Sequence, residues 1–167
     1  MKSKEFACIA TIVLLAAATA RADDYRTYSN DRFGATADVP ASWQADPPPE
    51  NGDGLRFRSP DGKASIIVSG ILNVDDDLEE ALTGEEQPSE GDTVTYRHRS
   101  GKTVTISGMH GDLIYYRKST LVCGDQIWNS VYLEYPAAEK SKYSDLVARV
   151  ARSLHFSGSS GQVPDCH

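Results

Sequence analysis

Along this chain the spacing of apolar side chains changes several times, and each change marks an element. Phe33, Ala35, Ala37 and Val39 alternate with polar or small residues, the two-residue period of a half-buried strand. Pro40 ends that strand, and Trp43 follows as an anchor. Residues 55–58 and the run 64–70, with Ile66, Ile67 and Val68 at its centre, flank Ser59-Pro60-Asp61-Gly62. Pro and Gly stand there where a β-turn favours them, so the two runs predict a hairpin. Residues 75–82 predict a short helix with acidic side chains in its first turn, where they suit the helix dipole. Residues 83–92 carry no large apolar side chain and read as a loop.

From Thr93 to Tyr135 the pattern is that of a meander. Strand-like runs follow one another across tight turns at Ser100-Gly101-Lys102, Gly111-Asp112 and Gly124-Asp125. The period then becomes helical: Tyr143, Leu146, Val147, Val150 and Leu154 form one stripe of a final helix. A short strand at 25–28 fits the polar lead-in. The order β-β-β-α-β-β-β-β-α predicts an α+β fold, a mainly antiparallel sheet of about six to seven strands flanked by helices. The final helix is expected to cover Ile127, Val131, Leu133 and Tyr135, together with Val104 and Ile106. The other face of the last strand carries Trp128, Tyr132 and Glu134. That face is not fully polar, so the acidic helix, the segment around Trp43 or a partner is expected to cover it.

The first 22 residues stand outside this pattern. Lys2 and Lys4 precede an apolar run from Phe6 to Ala18, and Ala20-Arg21-Ala22 is an A-x-A cleavage site, so residues 1–22 read as a signal peptide. Cleavage after Ala20 is the alternative. Cys8 lies too early for a lipid-attachment cysteine. Removal of 22 residues leaves 145, the size of one domain, assigned to residues 23–156 with a polar tail at 157–167. The mature chain then has 14 basic and 23 acidic side chains, net charge −9. That balance argues against nucleic acid and anionic membrane surfaces as partners. No other stretch is apolar enough for stable membrane insertion, so the expected location is periplasmic or secreted.

Export changes the reading of the cysteines. Cys123 and Cys166 are the pair left after cleavage, and an even pair in an exported protein reads as a disulfide. It would close a 44-residue loop, worth roughly 4 kcal/mol at most by chain entropy, and pin the tail to the turn at Cys123-Gly124. Two free thiols, or a thiol–metal site with His167, are the competing readings.

Two motifs resemble a known family. Tyr28-x-Asn30-x-Arg32-Phe33-Gly34 with Val39-Pro40-x-x-Trp43 looks like the opening of Mog/PsbP-like domains, and Tyr135-Pro136, a helix and then Ser153-Leu154-His155-Phe156 look like their close. The resemblance runs from about Tyr28 to Phe156, and small exported proteins of Gram-negative bacteria carry the pattern. It implies an antiparallel sheet sandwiched by helices. It also implies a non-catalytic binding or accessory role, as in photosystem accessory subunits, a small-GTPase release factor and secretion chaperones. The group shares no catalytic residues, so none is carried over.

The residues themselves point the same way. His98, His110, His155 and His167 show no metal-ligand spacing. Ser107, His110 and Asp112 contain the letters of a hydrolase triad, but so short a piece of strand and turn cannot easily converge, and no nucleophile elbow exists. Asp75, Asp76, Asp77 and Glu79 invite divalent-metal or small-ligand binding, yet consecutive acids splay around a helix start and lack the spacing of a calcium loop. Tyr116, Trp128 and Tyr132 are the candidate binding patch, with Arg97, Arg99, Arg117 and Lys118 nearby; aromatics dominate protein-binding hot spots. The expectation is a protein-binding accessory domain with no cofactor, its partner an unidentified envelope protein.

Overall fold

The computed structural model describes residues 24–163 and Cys166; the expected signal peptide and His167 lie outside them. Ten strands and two helices follow in the order β1 (Tyr25–Ser29), β2 (Ala35–Pro40), β3 (Gln44–Ala45), β4 (Gly54–Arg58), β5 (Ser65–Leu72), α1 (Leu78–Glu85), β6 (Thr93–Ser100), β7 (Thr103–His110), β8 (Leu113–Val122), β9 (Ile127–Pro136), α2 (Lys140–Ser153) and β10 (His155–Phe156). A 3₁₀ turn, Ala137–Glu139, leads into α2. Seven strands form one antiparallel sheet in the order β3-β4-β5-β9-β8-β7-β6, and β1, β2 and β10 form a second.

The small sheet and α2 share one face of the large sheet. Ala35, Ala37 and Val39 of β2, Ile66 and Val68 of β5, and Val131, Leu133 and Tyr135 of β9 meet Tyr143, Leu146 and Val150 of α2 in the main core. Each large side chain buried there stabilises the fold by roughly 1.5–3 kcal/mol. The helical stripe is therefore seated as its spacing predicts. Its expected floor needs correction at Ile127, which packs instead with Phe33 and the two cysteines, and at Val104 and Ile106: in the register of β7 on β8, these pair with Ser119 and Arg117, whose side chains point to the other face. There they pack with Ala81 and Leu82 of α1, Tyr115, Leu121 and Trp128.

Helix α1 starts later than the acidic run suggests. Asp77 is its N-cap, extended at φ −100° and ψ 129°, and its carboxylate accepts the Glu80 N–H at 2.9 Å. A capping Asp fixes the start, so Asp75 and Asp76 precede the helix and residues 83–85, expected in a loop, complete it. Strands β3 and β10 are two-residue pairings that no periodicity can reveal.

The hairpin between β6 and β7 also differs by one residue. Arg99 pairs with Val104 and His98 with Thr105, because only Gly101 and Lys102 form the loop. A bulge at Thr95 then shifts the register between Val94 and Tyr96. Gly108 permits the close approach: a Cβ there would stand 1.7 Å from the Thr93 carbonyl oxygen. Bulges re-aim the side chains beyond them. This one sends Tyr96 and His98 to the α2 side of the sheet and Arg97 and Arg99 to the α1 side.

Candidate functional site

The two faces of β8 and β9 divide the expected aromatic patch. Tyr116 pairs with Leu133 and shares the α2 face, whereas Trp128 and Tyr132 point to the α1 face. A period of two decides this, and the three residues form no common surface. Trp128 is only 4% exposed and packs under α1. Of the three candidate covers for that face, the acidic helix is the one in place. Tyr132 stacks on Tyr115 with ring centroids 6.2 Å apart and donates its hydroxyl hydrogen to Glu134 Oε1 at 2.9 Å. Burial, reinforced by that carboxylate, pushes the Tyr132 phenol above its ordinary range.

Ion pairs hold the cover down. Arg99 donates to Glu86 Oε1 at 2.8 Å and Glu79 Oε2 at 2.7 Å. Arg117 donates to the carbonyl oxygens of Glu85 and Gln87, and its Nε lies 3.2 Å from Glu85 Oε1. Ser119 donates to the same Glu85 oxygen at 2.6 Å. Arg97 adds a bond to the Glu86 carbonyl at 3.4 Å, so three of the basic residues expected to ring a recognition patch are spent in holding α1 down.

The opposite face is closed over half its width. Helix α2 packs on β2 and β9 and reaches β8. Beyond it runs a groove of about 480 Å³. Thr103, Thr105, Tyr116 and Lys118 form its floor, Tyr96 and His98 its outer wall, and Ala148, Ala151 and Arg152 of α2 its inner wall. The floor hydroxyls are already engaged: Thr103 bonds Thr120 at 3.0 Å, and Tyr116 bonds Thr105. Burial pushes the Tyr116 phenol up and the Lys118 ammonium down. Lys118 Nζ donates to the Ala151 carbonyl at 2.7 Å, near the end of α2. Tyr96 is 51% exposed and stacks along the wall with His98, ring centroids 6.5 Å apart.

A larger cleft, about 750 Å³, lies at the start of α2 between Trp43, Pro60 and Arg149. Asp145 and Arg152 also line it, while its other charges are paired. Lys142 bonds Glu139 at 2.7 Å and Asp61 at 3.3 Å, and Arg149 bonds Asp38 at 3.3 Å while lying 4.0 Å over the Tyr25 ring. The Ser59 hydroxyl and Lys63 N–H hold the Asp61 carboxyl down at about 2. Exposed Ile71 and Leu72, in turn, point to opposite faces of β5 and make no single surface.

The remaining candidates do not converge. Ser107 donates to the Tyr115 carbonyl at 2.7 Å, and His110 Nδ1 bonds Asp92 Oδ1 at 2.5 Å, so neither faces the other or Asp112. His98 lies at the groove wall, and the His155 ring bonds the Ser153 carbonyl. Among the described residues no three His, Cys, Asp or Glu side chains are grouped to hold a metal ion, and Asp77 spends its carboxylate on the helix cap.

Cys123 and Cys166 are joined by a disulfide, Cα atoms 4.9 Å apart. The tail also bonds back through Ser157 N–H to the Gly34 carbonyl and Gln162 N–H to the Arg32 carbonyl. Both cysteines pack with Phe33 and Ile127.

No protein-family model and no curated protein matches the sequence. Solved structures do match the fold. The chain is similar to cyanobacterial PsbP (CyanoP) from Synechocystis sp. PCC 6803, with TM-score 0.59 and 15% identity over 86% of this chain and 98% of that one. It is similar to the Saccharomyces cerevisiae Ran-binding protein Mog1p, with TM-score 0.55 and 13% identity over 81% and 97%. LpqN of Mycobacterium tuberculosis, involved in cell envelope biogenesis, matches with TM-score 0.52 and 14% identity over 80% and 90%. The chain has the Mog/PsbP-like α+β fold. At such identities the likeness is one of fold, and function is argued from the site.

Proposed function

We propose that the chain is an exported, non-catalytic accessory domain that binds a partner protein in the groove between β6 and α2. The domain is residues 23–156, with the tail 157–167 pinned by the disulfide. The observation that carries this reading is the half-open α2 face. It presents exposed Tyr96 and half-buried Tyr116 beside α2, whereas on the other face of the sheet α1 covers the same strands at Val104, Ile106, Tyr115 and Trp128. Aromatic side chains in a shallow groove are what protein-binding hot spots use. That Mog1p binds Ran and LpqN serves envelope biogenesis accords with a protein partner. The disulfide accords with an oxidising compartment outside the cytoplasm. No helix among the described residues is long and apolar enough to cross a membrane.

A photo-crosslinking amino acid at His98, compared with one at exposed Lys63, tests this in cells that make the protein. The expected result is a discrete protein adduct from His98 that is absent from Lys63. Identical adducts from both positions, or none from His98, would overturn the reading.

A further inference from the structure

Building on that reading, we infer that the groove takes an extended acidic segment of the partner, with carboxylates on Lys118 and Arg152 and an apolar or aromatic side chain over Tyr116. The charge pattern points there. The chain as a whole carries net charge −7, yet no Asp or Glu lines this groove. Its charged or basic side chains are Lys118, Arg152 and His98, none of which forms an ion pair among the described residues. Arg99 and Arg117, next in sequence to His98 and Lys118 but on the other face of the sheet, each hold a carboxylate.

Lys118 is the telling group. Its ammonium is half-buried and held low by desolvation, a cost that an opposite charge would offset. One of its three donors goes to the Ala151 carbonyl, which also points the amine along the foot of α2 beside Arg152. The remaining donors are open to an acceptor. The Thr103 hydroxyl is engaged by Thr120, and those of Thr105 and Tyr116 by each other, so the floor offers contact surface more than directed hydrogen bonds. Recognition therefore divides in two: charge at the foot of α2, and apolar contact over Tyr116 and Ala148. An acidic segment interleaved with aromatic or aliphatic residues supplies both, and charge complementarity of this kind sets specificity and on-rate.

Fluorescence anisotropy with the mature protein tests the assignment. The probe is an acetylated peptide alternating glutamate with phenylalanine and leucine, and the comparisons are its glutamine counterpart and dodecanoate. The acidic peptide is expected to bind at least about tenfold more tightly than the amide peptide and to weaken with salt. Arg152→Ala and Lys118→Met should each weaken it about tenfold, while Lys63→Ala leaves it unchanged. Circular dichroism checks that each variant is folded; Arg152 is exposed, so at least that variant keeps the core intact. Equal binding of acid and amide peptides, or indifference to both substitutions, overturns the inference. So does displacement of the peptide by dodecanoate with higher affinity, which would make the groove a small-anion site. A protein adduct from His98 together with failure of the acidic peptide overturns this charge assignment and leaves the accessory reading standing.

Discussion

The two faces of the large sheet are built from the same strands but finished differently. On the α1 face a helix with only two buried side chains, Ala81 and Leu82, is held over Trp128 by arginines that each meet a carboxylate. On the α2 face a longer helix buries a full apolar stripe, yet leaves Tyr96 and His98 of β6 exposed beside it, with Lys118 and Arg152 in no ion pair among the described residues. A short helix with little apolar surface needs polar fastening; a helix with a strong stripe does not, and can leave neighbouring charge free. The proposed binding site rests on this difference: paired polar groups serve the fold, whereas a desolvated group without an opposite charge is a candidate for contact with a partner.

The comparison breaks most visibly through packing. Trp128→Ala should cost roughly 3–5 kcal/mol in a urea titration, because the ring is buried beneath α1. Tyr116→Ala should cost clearly less, since its ring already lines an open groove, while abolishing any adduct formed at His98. Equal losses would mean that the groove is as much a core as the α1 side.

A smaller effect separates the buried cation from the paired ones. The folded Lys118 has its pKa below the ordinary 10.5. Between that lowered value and 10.5 the unfolded chain holds more protons than the folded one, so stability rises with pH across the window. Lys118→Met should remove this rise when melting temperatures of variant and parent are compared from neutral pH upward. A parallel pair of curves would mean that the ammonium is as well solvated folded as unfolded.

The smallest effect lies at the end of the sealed face. Asp92, whose side chain is only 2% exposed, hydrogen-bonds His110 and raises its pKa above 6.5. The stabilising contribution is full below pH 6.5 and is lost as pH rises through the raised folded value. His110→Gln should flatten the denaturation midpoint across that range, and an unchanged slope would show that the bond contributes nothing in solution.

Much of this was legible before any coordinate. The alternation of β2 and β9, the stripe on α2 and the turn residues at Gly101, Gly111 and Gly124 all follow from local periodicity and turn chemistry. So does the expectation of an α+β sheet, and the cysteine pairing followed from the export that the leader-like residues 1–22 suggested. What the residues alone left open was the face each one takes in the middle of the meander. Tyr116, Trp128 and Tyr132 read as one patch because neighbouring strands were all that the sequence specified. Assigning faces requires the register, and a slip of one residue reverses every side chain. The bulge at Thr95 is such a slip, made possible by a glycine on the adjoining strand and invisible in the spacing of β6 itself. Sequence by itself determined the longer elements, their order and the antiparallel meander, because those depend on neighbours along the chain; the two-residue strands β3 and β10 and the separate sheet of β1, β2 and β10 do not. Tertiary structure alone decided that Trp128 is sealed under α1 and that Tyr96, Tyr116 and Lys118 share a groove, because strand pairing and helix coverage are settled between residues far apart in sequence.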